Sequence, residues 1–290
     1  MLIFDPVQLK SFGHEFFETE TFSVRYVLSK KLIFKSIYIP YGPIIKNEKG
    51  YTDFMDFLVK GKFVRIKIDL PKIYLKESKE KLEKLLIDFG FESSTYVQDK
   101  ETLVLTPTNW NLSSKDQRYI RNAVKEYSVR IYTNLDPSVI HPVTKNPLTK
   151  DIYNVYAENG RLMHYNIKSY EAFLDCFKNS LTSVSYNNTT DDISGFVLGY
   201  PINSQNIDNL KVQELLILFT ALSPIGKENR HGYLVHQKLF EYVFNELKYD
   251  SIDFHGADRS KGRSYVEFKE RFGGSYLSYP GSFEYKKYFK

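Results

Sequence analysis

The stretch from Asp253 to Gly274 reads DFHGADRSKGRSYVEFKERFGG and crowds charges beside glycines. A strand-like run ends at Gly256. The segment after it sets Tyr265, Phe268 and Phe272 on one helical face at i, i+3 and i+7, with Lys269 at the edge of that face. Glycine lets a ligand approach the backbone closely, and the charges of ADRSKGR would border a cleft for an anionic group. A lysine at such an edge either snorkels to solvent or lends its charge to a site, and the pattern leaves both readings open. Asp253, Asp258 and Glu267 lie nearby as candidate proton acceptors, with nothing to choose between them. A second candidate is the loop SPIGKENRHGYL, which joins an apolar strand to the start of a helix. Free backbone N–H groups and the helix dipole favour anions there, and Lys227, Arg230 and Gly232 would suit a phosphate. The same residues also describe a solvated basic connection.

Other chemistries are excluded more firmly. There is no GxGxxG after a strand, no GxxxxGK[ST] and no GxSxG elbow, so dinucleotide, P-loop and serine-hydrolase sites are not expected. His231 and His236 form the one close histidine pair, but five residues apart is the wrong spacing for two ligands on a helix face. The single cysteine, Cys176, rules out a disulfide framework; in the helical pattern EAFLDCFKNSL it reads as a buried thiol rather than a nucleophile. No cofactor and no metal are expected. A net charge of +5, spread along the chain, is weak support for a polyanionic partner. No apolar run approaches the roughly 18 residues of a membrane span, and MLIFDPVQLK lacks the basic start of a secretory signal, so a cytoplasmic protein is expected.

The elements that would position these residues alternate between strand and helix, which predicts an α/β or α+β architecture. FSVRYVLS, KLIFKSIYI and FVRIKIDL read as strands. TDFMDFLVKG reads as a helix capped by Thr52 and ended by Gly61, and SKEKLEKLLIDFG as an amphipathic helix closed by Gly90. FESSTYVQDKETLVLTP suggests two paired strands joined at Asp99–Lys100. LSSKDQRYIRNAVKEYS is a helix capped at Ser113 or Ser114. The proline-bearing stretch between Asn134 and Asp151 suggests a junction, dividing the chain into residues 1–140 and 141–290. In the second half DIYNVYAENGRL and SYEAFLDCFKNSL read as helices, and SVSYNNTTDDISGFVLGYP as a hairpin. ELLILFTALS is a buried strand, PIGKENRHG a loop, and YLVHQKLFEYVFNELK a helix.

At these residues the sequence resembles the FemABX peptidyltransferases. SIDFHGADRSKGRSYVEFKERFGG is similar to that family's C-terminal signature, in which a strand leads into FK..FGG. IYIPYGPII resembles its early PrGPv segment, with Tyr41 in place of the usual basic or polar residue, and QRYIRNAVKEYSVRIY its R..IRkA helix and strand. The resemblance spans about Lys31 to Gly274. It implies two GNAT-like acyltransferase domains, each a mixed twisted sheet flanked by helices, with a cleft between them and no coiled-coil arm. It also implies transfer of an amino acid from aminoacyl-tRNA to the stem peptide of a UDP-linked (UDP-MurNAc-peptide) or lipid II precursor, with peripheral membrane contact where lipid II is the acceptor.

By the same resemblance the catalytic position falls on Lys269, beside Phe268. Tyr41, Gly42, Arg118 and Arg121 fall on precursor-binding positions, and the residues read above from the basic loop and the glycine-rich stretch, Lys227, Arg230, Gly256 and Arg259, join them as candidate substrate contacts. The loop GKENRHG departs from the glycine-rich Q/R-x-x-G-x-G pattern of acyl-CoA-dependent GNAT enzymes. Two rivals stay open: an N-acyltransferase of the same fold using acyl-CoA, and a non-catalytic module that binds tRNA or a cell-wall precursor.

Overall fold

The computed structural model describes residues 15–31, 34–40, 42–70, 76–95, 100–205, 211–257, 259–261, 264–279 and 281–287. Two sheets organise them. The first takes β1 (Glu15–Glu18), β2 (Phe22–Lys31), β3 (Phe34–Ile39), β4 (Pro43–Ile45), β5 (Arg65–Asp69), β6 (Glu92–Ser94) and the late strand β14 (Ser282–Lys286). Their order is β1-β2-β3-β5-β14-β6 with β4 beside β2, and β3 and β5 run parallel. Ile37, Ile39, Ile66 and Ile68 bury one face under helices α1 (Glu48–Lys60) and α2 (Lys76–Asp88) through Phe54, Leu58, Leu82 and Leu86.

Helix α1 begins earlier than Thr52. Asn47 is its cap, accepting from the Gly50 amide at 3.2 Å. Gly50 is tolerated inside the first turn because a Cβ there would lie 2.2 Å from the Thr21 carbonyl oxygen, so close packing on the neighbouring segment demands glycine.

The second sheet is built from β7 (Glu101–Leu105), β8 (Tyr127–Thr133), β9 (Leu181–Asn187), β10 (Ile193–Gln205), β11 (Lys211–Leu222), β12 (Ser251–Asp253) and β13 (Ser275–Ser278), in the order β13-β7-β12-β11-β10-β9-β8. Helices α3 (Ser114–Ala123) and α7 (His231–Glu241) cover one face. Helices α4 (Leu148–Met163) and α5 (Tyr170–Leu174) cover the other. The alternation of β10 shows it: Val197 joins the α7 side, while Phe196 and Leu198 join the α4 side. Helices α6 (Pro224–Glu228) and α8 (Ser264–Glu270) complete the layer beside α7.

Several expectations hold at this level. Ser113 caps α3, β9 and β10 form the expected hairpin, and Cys176 is buried, its thiol raised to about 11 by desolvation. Two are corrected. Strands β6 and β7 do not pair, because β6 lies beside β14 in the first sheet and β7 beside β12 and β13 in the second. The PIGKENRHG loop contains α6, started by a Ser223 cap and a proline at its first turn, where the missing N–H costs nothing. The stretch around residue 140 lies between β8 and α4, both of which pack on the second sheet. No helix among the described residues is long and apolar enough to cross a membrane, and the longest, α4, has 16 residues, too few for a coiled-coil arm.

Candidate active site

The site is made by a split between two parallel strands. β12 pairs with β11 over Glu214–Leu216. Beyond that point β11 continues to Leu222 against β10, while the chain after Asp253 follows β7, its Phe254 and Ala257 amides donating to the carbonyls of Leu103 and Glu101 at 3.0 and 2.9 Å. The two strands therefore diverge towards the start of α7.

Lys269 reaches across the segment that leaves β12. Its ammonium donates to the carbonyls of Phe254 at 2.9 Å, His255 at 3.3 Å and Gly256 at 2.5 Å, and it lies 4.9 Å from the Tyr265 ring centre. Three successive carbonyls converge on one cation because the backbone turns left-handed twice, at His255 (φ 49) and Gly256 (φ 83). Asp253 sets up that turn. Its buried carboxylate accepts from the His255 amide at 2.7 Å and from the Thr102 hydroxyl. Asp253 is thus engaged in shaping the backbone, while Glu267 is exposed and Asp258 lies outside the described residues.

An aromatic cluster holds α8 from below. Phe268 packs on Tyr233 and His236, each with ring centres 5.2 Å apart, and Gly232 gives it room, since a Cβ there would meet its ring at 3.2 Å. Arg271 approaches the buried Asp116 of α3 at 3.5 Å. The helix ends at Gly273 and Gly274, with φ 78 and 92; a side chain at Gly273 would lie 2.6 Å from the Asn109 carbonyl oxygen.

His236 is buried behind the ammonium. Its Nδ1 lies 2.7 Å from the Gly232 carbonyl, which can only accept, so Nδ1 carries the proton and Nε2 accepts from Thr220 at 3.1 Å. Burial lowers its pKa to about 4; the Gly232 carbonyl opposes this and the Lys269 charge adds to it. An unfolded histidine takes its proton near pH 6.5, so between about 6.5 and 4 the unfolded chain holds a proton that the folded chain does not. Stability is therefore complete above pH 6.5 and falls as the pH drops through that window, by roughly 3 kcal/mol at its end. Urea midpoints measured from pH 7 to pH 4 are expected to fall accordingly, with a flatter slope in His236→Gln. His231, also buried, lies 2.9 Å from the Ser194 hydroxyl and is lowered by desolvation, which acts in the same direction.

The remaining candidates are scattered. Gly256 belongs to the lysine cradle. Arg230, left-handed at φ 58, lays its guanidinium 4.4 Å from the Tyr119 ring centre of α3, while Arg118 and Arg121 are exposed on that helix. Lys227 is half-buried on α6, which lies close on β10 because a Cβ at Gly226 would sit 1.9 Å from the Ser194 carbonyl oxygen. Arg259 grips Glu101 with two nitrogens, at 3.3 and 3.1 Å, and covers Tyr276. Gly42, with φ 56, turns the chain between β3 and β4 of the first sheet, and Tyr41 lies outside the described residues. Thr102, Thr220 and His236 were not anticipated as members of the site. No group of histidine, cysteine and carboxylate among the described residues is arranged for a metal ion.

The path of the chain recurs in solved structures. FemX superposes with a TM-score of 0.72 at 13% identity, over 97% of this chain and 90% of that one. The fold is FemX-like. L-PGS from Bacillus licheniformis follows with a TM-score of 0.63 and 13% identity, over 99% and 93% of the two chains. A tandem GNAT protein from the clavulanic acid biosynthesis pathway matches with 0.51 and 8%, over 97% and 87%. No family profile matches the sequence, and no curated protein matches it. The FemABX and GNAT-like resemblance is thus carried by the path of the chain, with two mixed sheets flanked by helices.

Proposed function

We propose that the protein is an aminoacyltransferase that moves an amino acid from aminoacyl-tRNA to the stem-peptide amine of a peptidoglycan precursor, UDP-linked or lipid II. The observation that carries this reading is the Lys269 ammonium held by the Phe254, His255 and Gly256 carbonyls where β11 and β12 diverge, within a FemX-like fold. An aminoacyl ester is already activated, so no serine or cysteine nucleophile is required. The acceptor amine attacks the ester carbonyl, the C–N bond forms, the bond to the ribose oxygen breaks, and the amine proton leaves with that oxygen. Such a reaction needs close positioning of a neutral amine and a fixed positive charge near the tetrahedral oxyanion. Lys269 supplies that charge. The carbonyl cradle fixes where the cation sits, and the aromatic rings of Tyr265 and Phe254 limit its hydration.

The exposed cations Arg118, Arg121 and Arg230 suit the phosphates of the donor or of a nucleotide-linked acceptor, whose binding gains from counterion release. In this reading the protein works in the cytoplasm, with peripheral membrane contact when lipid II is the acceptor. The test uses purified protein, labelled amino acids charged onto total tRNA, and UDP-linked muropeptide or lipid II. Label is expected in the precursor and absent after ribonuclease treatment. No transfer with any charged amino acid on either acceptor would overturn the reading, and transfer from acyl-CoA instead would replace it with the N-acyltransferase.

A further inference from the structure

The first sheet carries a cleft that none of the candidate site residues lines. It has a volume of about 560 Å³ and opens between the C-terminal ends of α1 and α2, at the end of the sheet where β3 and β5 begin. Its depth reaches core residues: Met55, Leu58, Ile66 and Phe91 line it and are each no more than 5% exposed. Its rim is also apolar. Phe34, Val59 and Phe89 line the mouth at 41%, 63% and 46% exposure. The charged groups in the lining are Lys62 and Lys287, with no acid among them.

The local chain explains the opening. α1 stops at Gly61 and the backbone turns left-handed at Lys62 (φ 51), while α2 stops before Gly90 (φ 88). Both helices therefore end together and leave the strand starts uncovered between them.

We propose that this cleft seats one acyl chain of an anionic bilayer lipid, with the rim in the membrane interface and Lys62 and Lys287 against the headgroup. A deep apolar slot with a few polar groups at its mouth has the make-up of a ligand site, and lysines without acids select an anion. The exposed rim decides between a bilayer and a free fatty acid. A carrier for a dissolved ligand gains nothing from apolar side chains facing water, whereas Phe34, Val59 and Phe89 are buried once the mouth itself enters an apolar phase. The inference gives a place to the membrane contact that the lipid II form of the proposed function includes; its test measures vesicle binding and no transfer, so either can fail without the other.

The full chain is floated with vesicles of phosphatidylcholine alone and of an equal mixture of phosphatidylcholine and phosphatidylglycerol. Binding is expected on the mixed vesicles and to be roughly 25-fold weaker on the neutral ones, since each of the two lysines near an anionic surface contributes roughly fivefold. The double variant Lys62→Glu with Lys287→Glu is expected to lose at least on the order of tenfold in affinity, and Val59→Glu to lose flotation while keeping its melting temperature. Asp88→Lys, beside the rim, is expected to bind more tightly. A Val59→Trp variant gives a second readout, its emission shifting to the blue on mixed vesicles.

Equal binding to both vesicles, or wild-type binding by the charge-reversed and Val59→Glu variants, would overturn the proposal. An emission shift produced as fully by dissolved oleate without vesicles would make the cleft a soluble-ligand site. Self-association lost in Val59→Glu, without any flotation of the parent, would make it an interface between copies.

Discussion

Lys269→Met is expected to lower kcat/KM for aminoacyl transfer by on the order of 10²-fold or more, the cost of removing one preorganised oxyanion-stabilising group. Methionine keeps the length and apolar stem of the side chain and removes only the charge and the donors. Two things are lost together. The oxyanion loses a fixed cation, and the Phe254, His255 and Gly256 carbonyls lose the group on which they converge. The second loss costs stability, so a lower melting temperature accompanies the lower rate. Lys269→Arg is not expected to rescue activity. A planar guanidinium presents its donors in a fixed fork, whereas the cradle needs three protons aimed from one compact nitrogen. Single-turnover rates with charged tRNA, taken well below the melting point of each variant, measure the chemical loss alone. A rate within threefold of the parent would remove Lys269 from the catalytic step.

The strand end at Gly256 and the helical face beside Lys269 were legible because they lie within the 16 residues from Phe254 to Lys269, but local pattern did not show that the ammonium turns back onto the Phe254, His255 and Gly256 carbonyls. What completes the site was not legible, because it comes from far along the chain. Thr102 is 151 residues from Asp253, and nothing near either residue signals that pairing. Strand β14 is the same case at larger scale. SFEYK alternates as a strand should, but only the register of Phe283 with Ile68 places it in the first sheet, more than 200 residues from its partner. The β6–β7 error has the same origin, since two short strands close in sequence suggest a hairpin and only long-range pairing separates them. Helix α6 is different. Ser223 and Pro224 are a readable start signal, but five residues are too few for a periodicity to show. The FemABX-like arrangement was visible in short motifs and is borne out by the path of the chain.

Phe272→Ala is expected to cost about 3–5 kcal/mol of stability, as for other fully buried phenylalanines, and to lower the melting temperature by on the order of 10 °C. Phe272 is 0% exposed, and its ring centre lies within 5.7 Å of those of Tyr233, His236, Phe240, Phe254 and Phe268. It thus joins α7, α8 and the segment that leaves β12. An alanine opens a void among rigid rings that cannot collapse without moving α8. This variant keeps Lys269 and its carbonyl partners, so it separates the two roles of the region. Were transfer to depend on the fold alone, Phe272→Ala, the less stable protein, would be the slower enzyme. If the ammonium acts in the reaction, Lys269→Met is slower despite being the more stable of the two. That crossing of the two orders, read from thermal unfolding and single-turnover transfer on the same preparations, is the expected result. Parallel orders would assign Lys269 a structural role.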